Sequence, residues 1–161
     1  MIVLGLDPGL SRTGYAVIEG GSGSLRLLEG GVLRSRRESP LAERCLELRR
    51  GLLDVLTDWA PDAAAVEQVF SLPKNPKTAV LMAHARGALL VTVAEMEVPL
   101  AHFMPKAVKK HVSGSGSATK EQMQRSVQLL LRHDAPLEPN DVADATAVAI
   151  MRLDTLRAEV A

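Results

Sequence analysis

The sequence predicts a mixed α/β protein: a five-stranded sheet with helices on both faces. Two observations carry this. Three strand patterns follow one another at the N-terminus with only short turns between them, and from Pro40 onward helical and strand patterns alternate. A length of 161 residues with 47% apolar side chains matches one core, so residues 1–161 are expected to form a single domain.

The elements follow in order. Met1–Asp7 is a continuous apolar run, Thr13–Glu19 alternates more loosely, and Leu25–Leu33 follows the Gly/Ser turn at residues 20–24, which reads as a meander of three strands. Between Pro40 and Trp59 the residues Leu41, Cys45, Leu48, Leu52, Leu53, Val55 and Leu56 recur near helical spacing, and Pro61 closes that amphipathic helix. Ala63–Val66 is short and almost wholly apolar, as a strand buried on both sides requires. Lys77–Met96 is apolar on nearly every face of the helix it would form. Such a helix is buried all round, either inside this core or against a second copy of the chain. Val98–Phe103 reads as the last strand, Pro105–Val112 as a short basic helix and Ser113–Ser117 as a Gly/Ser loop. Thr119 and Gln122 form a capping box opening a helix to Arg132, and Asp141–Leu156 makes the final helix.

Composition excludes several classes. The opening apolar run is broken too early for a signal peptide, and no stretch approaches the roughly 18 unbroken apolar residues of a membrane span, so a soluble, cytoplasmic protein is expected. The single cysteine, Cys45, has no partner for a disulfide or a zinc cluster and reads as a buried thiol. Net charge is zero, but its distribution is uneven. Residues 73–133 carry 9 Lys/Arg against 3 Asp/Glu, whereas residues 1–72 carry 8 against 10 and residues 134–161 carry 2 against 6. A basic surface beside an acidic pocket suits a protein that holds a polyanion through cations; a solvated fluctuation of charge is the plainer alternative.

Four acids stand where surface acids normally do not. Asp7 and Glu67 each end an apolar strand, the place where open α/β sheets build their sites. Asp141 and Asp144 lie three apart at the start of the last helix and share a face. Like charges a few Å apart repel by roughly 1–4 kcal/mol per pair, and divalent cations remove that penalty. Oxygen-only ligands select hard ions such as Mg²⁺ or Mn²⁺ over zinc, and two such ions about 4 Å apart serve phosphodiester hydrolysis. Each acid also has a structural use: Asp141 and Asp144 suit a first helical turn, and Asp7 could cap the turn before Gly9. The loop GSGSATK is no Walker phosphate loop, since no glycine directly precedes Lys120. The four histidines, His84, His102, His111 and His133, are dispersed and read as structural or solvent-facing.

Read together, the segments GLDPGLSRTGYAVI (5–18), VEQVF (66–70) followed by Lys74 and Asn75, HARG (84–87), KAVKKHVSGSGSATKEQM (106–123) and DVADATAVAI (141–150) run in the order found in one family. The chain resembles the RuvC-type Holliday-junction resolvases of the ribonuclease H-like superfamily, with Ala16 where the family's motif has glycine. The resemblance implies a homodimer that binds a four-way DNA junction and makes paired, metal-dependent nicks in recombination and repair, in concert with a branch-migration helicase. It implies Asp7, Glu67, Asp141 and Asp144 as the catalytic, metal-binding set, Mg²⁺ or Mn²⁺ as the cofactor with two ions per site, and DNA contacts through Lys74, Lys109, Lys110 and Lys120. Phe70 matches the aromatic that stacks at the opened crossover; its structural alternative is ordinary core. Two other readings stand beside this one, a junction-binding scaffold without catalysis and one lobe of an actin- or sugar-kinase-like phosphotransferase. Metal-dependent cleavage separates the first and ATP binding the second.

Overall fold

The computed structural model describes residues 1–21, 23–68 and 75–160. Strands β1 (Ile2–Asp7), β2 (Arg12–Gly20) and β3 (Leu25–Arg34) form the expected antiparallel meander. β4 (Ala63–Glu67) joins β1 in parallel, and β5 (Leu100–Phe103) joins β4 in parallel, so the sheet order is β3-β2-β1-β4-β5. Between the strands lie α1 (Leu41–Trp59) and α2 (Pro76–Glu95); α3 (Pro105–Ser113), α4 (Lys120–Leu131) and α5 (Asn140–Val160) follow β5. Each expected element is present with ends within a few residues. The capping box forms as read: Thr119 Oγ1 accepts from the Gln122 amide at 3.2 Å, and Gln122 Oε1 accepts from the Thr119 amide at 2.8 Å.

Strand pleating sorts the core into two layers. Leu4, Leu6, Val17, Ala64 and Val66 point to one face and pack with Leu48, Leu52 and Leu56 of α1 and Ala85 and Leu89 of α2. Val3, Ile18 and Ala65 point to the other and pack with α3, α4 and α5. The period of two then settles where the strand-end acids go: Asp7 and Glu67 share the α3–α5 face with Val3 and Ala65. The parallel pairing Leu6↔Val66 sets those two acids side by side at one end of the sheet.

Two glycines let α5 lie directly on that face. A Cβ on Gly5 would sit 2.6 Å from the Ala149 amide nitrogen and collide with the Ala145 carbonyl; one on Gly14 would sit 2.8 Å from the Asp141 carbonyl carbon. Gly14 is the partner of Asp7 in the β1/β2 register, so this close approach brings the start of α5 to the end of β1. α5 is accordingly the helix buried most completely, from Val142 through Ile150 apart from Asp144.

α2 differs from expectation. It has the length and mean hydropathy of 1.2 of a membrane span, the one such helix among the described residues, yet it is not buried all round. Ala85, Leu89, Thr92 and Val93 face inward, while Val80 and Val91 are 56% and 55% exposed. The reason is architectural: α1 and the sheet cover one side of α2, and this chain has no further layer on that face, among the described residues, to cover the other. The fully internal reading of this helix is thereby excluded. Cys45 is likewise only half-buried, with its Sγ 3.9 Å from the His84 carbonyl at the α1/α2 rim.

Candidate active site

At the end of the sheet where β1 and β4 stop, Asp7, Glu67 and Asp144 line one cavity of about 210 Å³ together with Lys109, Lys120, Pro105 and Met123. Each side chain arrives from a different element: Asp7 from β1, Glu67 from β4, Asp144 from α5, Lys109 from α3 and Lys120 from the first turn of α4. Asp7 does not cap its turn. Thr13 does so instead, its Oγ1 accepting from the Gly9 amide at 3.2 Å and donating to the Gly9 carbonyl at 2.8 Å, which leaves the Asp7 carboxylate for the cavity.

The electrostatics match a crowded carboxylate site. Each of the three acids keeps an edge toward water, being half-buried rather than sealed. Burial pushes the Asp7 carboxyl well above its ordinary range, and the nearby charges of Glu67, Asp144 and Asp141 push it further, against Lys120. Glu67 is raised to about 7 by burial and then by Asp144, with Lys109 opposing. Asp144 is also raised, by burial first and by Asp141, while Lys120 and Lys109 pull it down. Without a counter-ion these groups hold protons more readily than ordinary carboxylates, the behaviour of a site whose charge balance is completed by a bound cation.

The fourth acid stands apart. Asp141 is close enough to raise both Asp7 and Asp144, but it does not line the cavity; its Oδ2 pairs with Arg12 Nη2 at 2.5 Å. Among the described residues no group of three or more His, Cys, Asp or Glu side chains is gathered tightly enough to cage a metal ion. A hard ion such as Mg²⁺ does not require a cage: it takes one or two carboxylates and completes its shell with water and substrate phosphate. The all-carboxylate donor set and the raised acids therefore fit a divalent cation, and the histidines do not compete for it. His111 pairs with Asp154 at 2.9 Å and His102 with Arg86 at 2.6 Å, away from the cavity.

Lys110 is exposed and lies outside the cavity that its neighbour Lys109 lines. Phe70 and Lys74 fall outside the described residues. Sequence reasoning missed two cations. Both were visible only as parts of motifs, Arg12 in residues 5–18 and Arg86 in residues 84–87. Arg86 donates from Nε to the Glu67 carbonyl at 3.3 Å, holding the end of β4 from α2, a contact across elements that no local spacing announces.

A ribonuclease H-like nuclease is defined by this combination, a mixed 3-2-1-4-5 sheet with acids at adjacent strand ends and an acid-bearing helix laid across them. The family model of crossover junction endodeoxyribonuclease RuvC matches residues 3–152. The chain belongs to the RuvC family. Relatives of that description include one from Rhodopirellula baltica, 45% identical over 148 residues that cover 92% of this chain and 83% of the relative. Another, from Desulforamulus reducens, is 42% identical over 150 residues, covering 93% of this chain and 91% of the relative. Among solved structures, Thermus thermophilus RuvC superposes with a TM-score of 0.89 at 33% identity, covering 99% of this chain and 97% of that one. T. thermophilus RuvC in complex with Holliday junction substrate superposes with a TM-score of 0.90 at 33% identity, covering 99% and 96%.

Proposed function

We propose that this chain resolves four-way DNA junctions as a homodimeric, divalent-metal-dependent endonuclease in recombination and repair. The observation that carries the reading is the convergence of Asp7, Glu67 and Asp144 with Lys109 and Lys120 in one small cavity. Asp7, Glu67 and Asp144 would hold the cation, with Asp141 completing the set; Mg²⁺ suits these donors best, Mn²⁺ next, and the acid count accommodates two ions. Such ions supply an activated water and a stabilised leaving oxygen. The protein's own part is to hold the DNA. Lys109 and Lys120 place two point charges at the cavity for the scissile phosphate, while Lys110, Lys74 and Phe70 are assigned to the flanking backbone and bases by their family positions. Affinity for DNA comes from the local excess of cations in residues 73–133, since the chain as a whole is neutral.

The exposed side of α2 supports the dimer. Cys45, Leu46, Ala83, His84, Gly87 and Val91 line an open, largely apolar groove between α1 and α2. Gly87 costs helix stability and, among the described residues, meets nothing within 4 Å of where a Cβ would be, an opening that suits the close approach of a partner helix. Two copies joined there would present two cavities to one symmetric junction. Residues 1–161 act in this reading as one nuclease domain that works in the cytoplasm beside a branch-migration helicase.

The deciding experiment incubates the protein with a labelled four-way junction and with a linear duplex, each with and without Mg²⁺ or Mn²⁺. Metal-dependent, paired nicks confined to the junction are expected. Junction binding without any cleavage would favour a scaffold that has lost catalysis, a reading the retained acids oppose.

A further inference from the structure

Arg12 sits at the first residue of β2, directly after the turn that follows Asp7, and its guanidinium reaches the start of α5. The ion pair with Asp141 links two segments 129 residues apart and is partly open to water, with side-chain exposures of 40% and 30%. Asp141 does not line the cavity, whereas the other three acids do. Yet Asp141 lies near enough to act on two of them.

We propose that Arg12 is an exchangeable counter-ion, a positioning residue that withholds Asp141 from the metal site in the DNA-free protein and passes to a DNA phosphate when the junction binds. The inference rests on the metal-nuclease reading above. A guanidinium pairs equally well with carboxylate and with phosphate, and a partly exposed pair at the lip of the cavity exchanges without unfolding anything. When Arg12 turns to a phosphate, the Asp141 carboxylate is left uncompensated beside Asp7 and Asp144, and a cation is what relieves it. The free enzyme thus carries an incomplete ligand set, and substrate completes it, so that metal and DNA bind cooperatively.

The test measures Mn²⁺ binding to the DNA-free protein by electron paramagnetic resonance, and junction binding in EDTA as a function of salt. Arg12→Gln should bind Mn²⁺ roughly three- to fivefold more tightly than the unsubstituted protein, the size expected when a partly exposed ion pair is removed. Its slope of log affinity against log salt should be shallower by roughly 0.9, because one phosphate fewer is neutralised. The gain from Arg12→Gln should be largely lost in the double variant Arg12→Gln/Asp141→Asn, measured against Asp141→Asn alone, because no carboxylate is then released. Unchanged or weaker Mn²⁺ binding in Arg12→Gln, an unchanged salt slope, or an equal gain from Arg12→Gln in the Asp141→Asn background would each overturn the exchange. Asp7→Asn distinguishes the metal site from the exchange: if it weakens Mn²⁺ binding while Arg12→Gln does nothing, the metal site stands and the exchange fails. If it has no effect, both fail. Thermal unfolding of every variant shows whether a loss is simply a loss of fold.

Discussion

A carboxylate at the end of a strand becomes chemistry only when its neighbours prevent it from doing something ordinary. Asp7 is released by Thr13, which takes over the turn, and Glu67 is held by Arg86 through its own carbonyl. Asp7→Asn keeps the shape of that side chain and removes its charge; the variant should bind a four-way junction within a few-fold of the unsubstituted protein and fail to cut it. Loss of binding along with cutting, in a gel-shift and cleavage pair of assays, would mark Asp7 as structural. The raised acids also make stability depend on pH. Because Glu67 titrates near 7 in the fold and near 4.5 unfolded, the native state holds the extra proton between those values, and stability falls as pH rises through that window. Asp7 and Asp144 act in the same direction. Metal-free protein should therefore melt several degrees lower at pH 8 than at pH 5, Mn²⁺ should restore much of the difference, and Glu67→Gln should flatten the profile. A melting temperature that climbs from pH 5 to 8 would contradict the assignment.

At the scale of elements, the seat of α5 on β1 and β2 is what joins the strand-end acids to the helix acids. Gly5 and Gly14 are needed there for space, since a Cβ at either would strike the backbone of α5. Gly5→Ala forces overpacking of a kind that costs roughly 1–3 kcal/mol, and lifting α5 also moves Asp144 away from Asp7 and Glu67. Cleavage should fall at least tenfold even at temperatures where circular dichroism shows the variant fully folded. By contrast Leu52→Ala on α1, in the other layer, should cost about 2–5 kcal/mol of stability, with cleavage by the folded fraction nearly unchanged. Equal losses of rate in both variants would show that the site depends on overall rigidity rather than on the α5 seat.

The whole molecule divides its two helical layers between two tasks. The α3–α5 layer carries the site and its cations; the α1/α2 layer keeps an apolar face toward solvent. On the proposed dimer, Val91→Asp, at a position 55% exposed in one chain, should leave the fold intact and yield monomer in light scattering. Its junction nicks should then lose their pairing. A variant that remains dimeric would place the interface elsewhere.

Periodicity and chemistry alone determined the element order, the five strands, the capping box at Thr119 and Gln122, and the position of Asp7 and Glu67 at strand ends, because these depend on residues close together in the chain. The same kind of signal could not choose between the two readings of α2, inside the core or against a second copy, and the structure excludes the first. An apolar helix is a statement about what it can bury against, and only the packed layers decide whether a neighbour is there. Likewise Asp141 and Asp144 look equivalent on a helical wheel, yet one pairs with Arg12 and the other lines the cavity. Which atom a charge meets is settled by long-range approach, here of β2 to α5 across 129 residues, and that approach is a property of the folded chain.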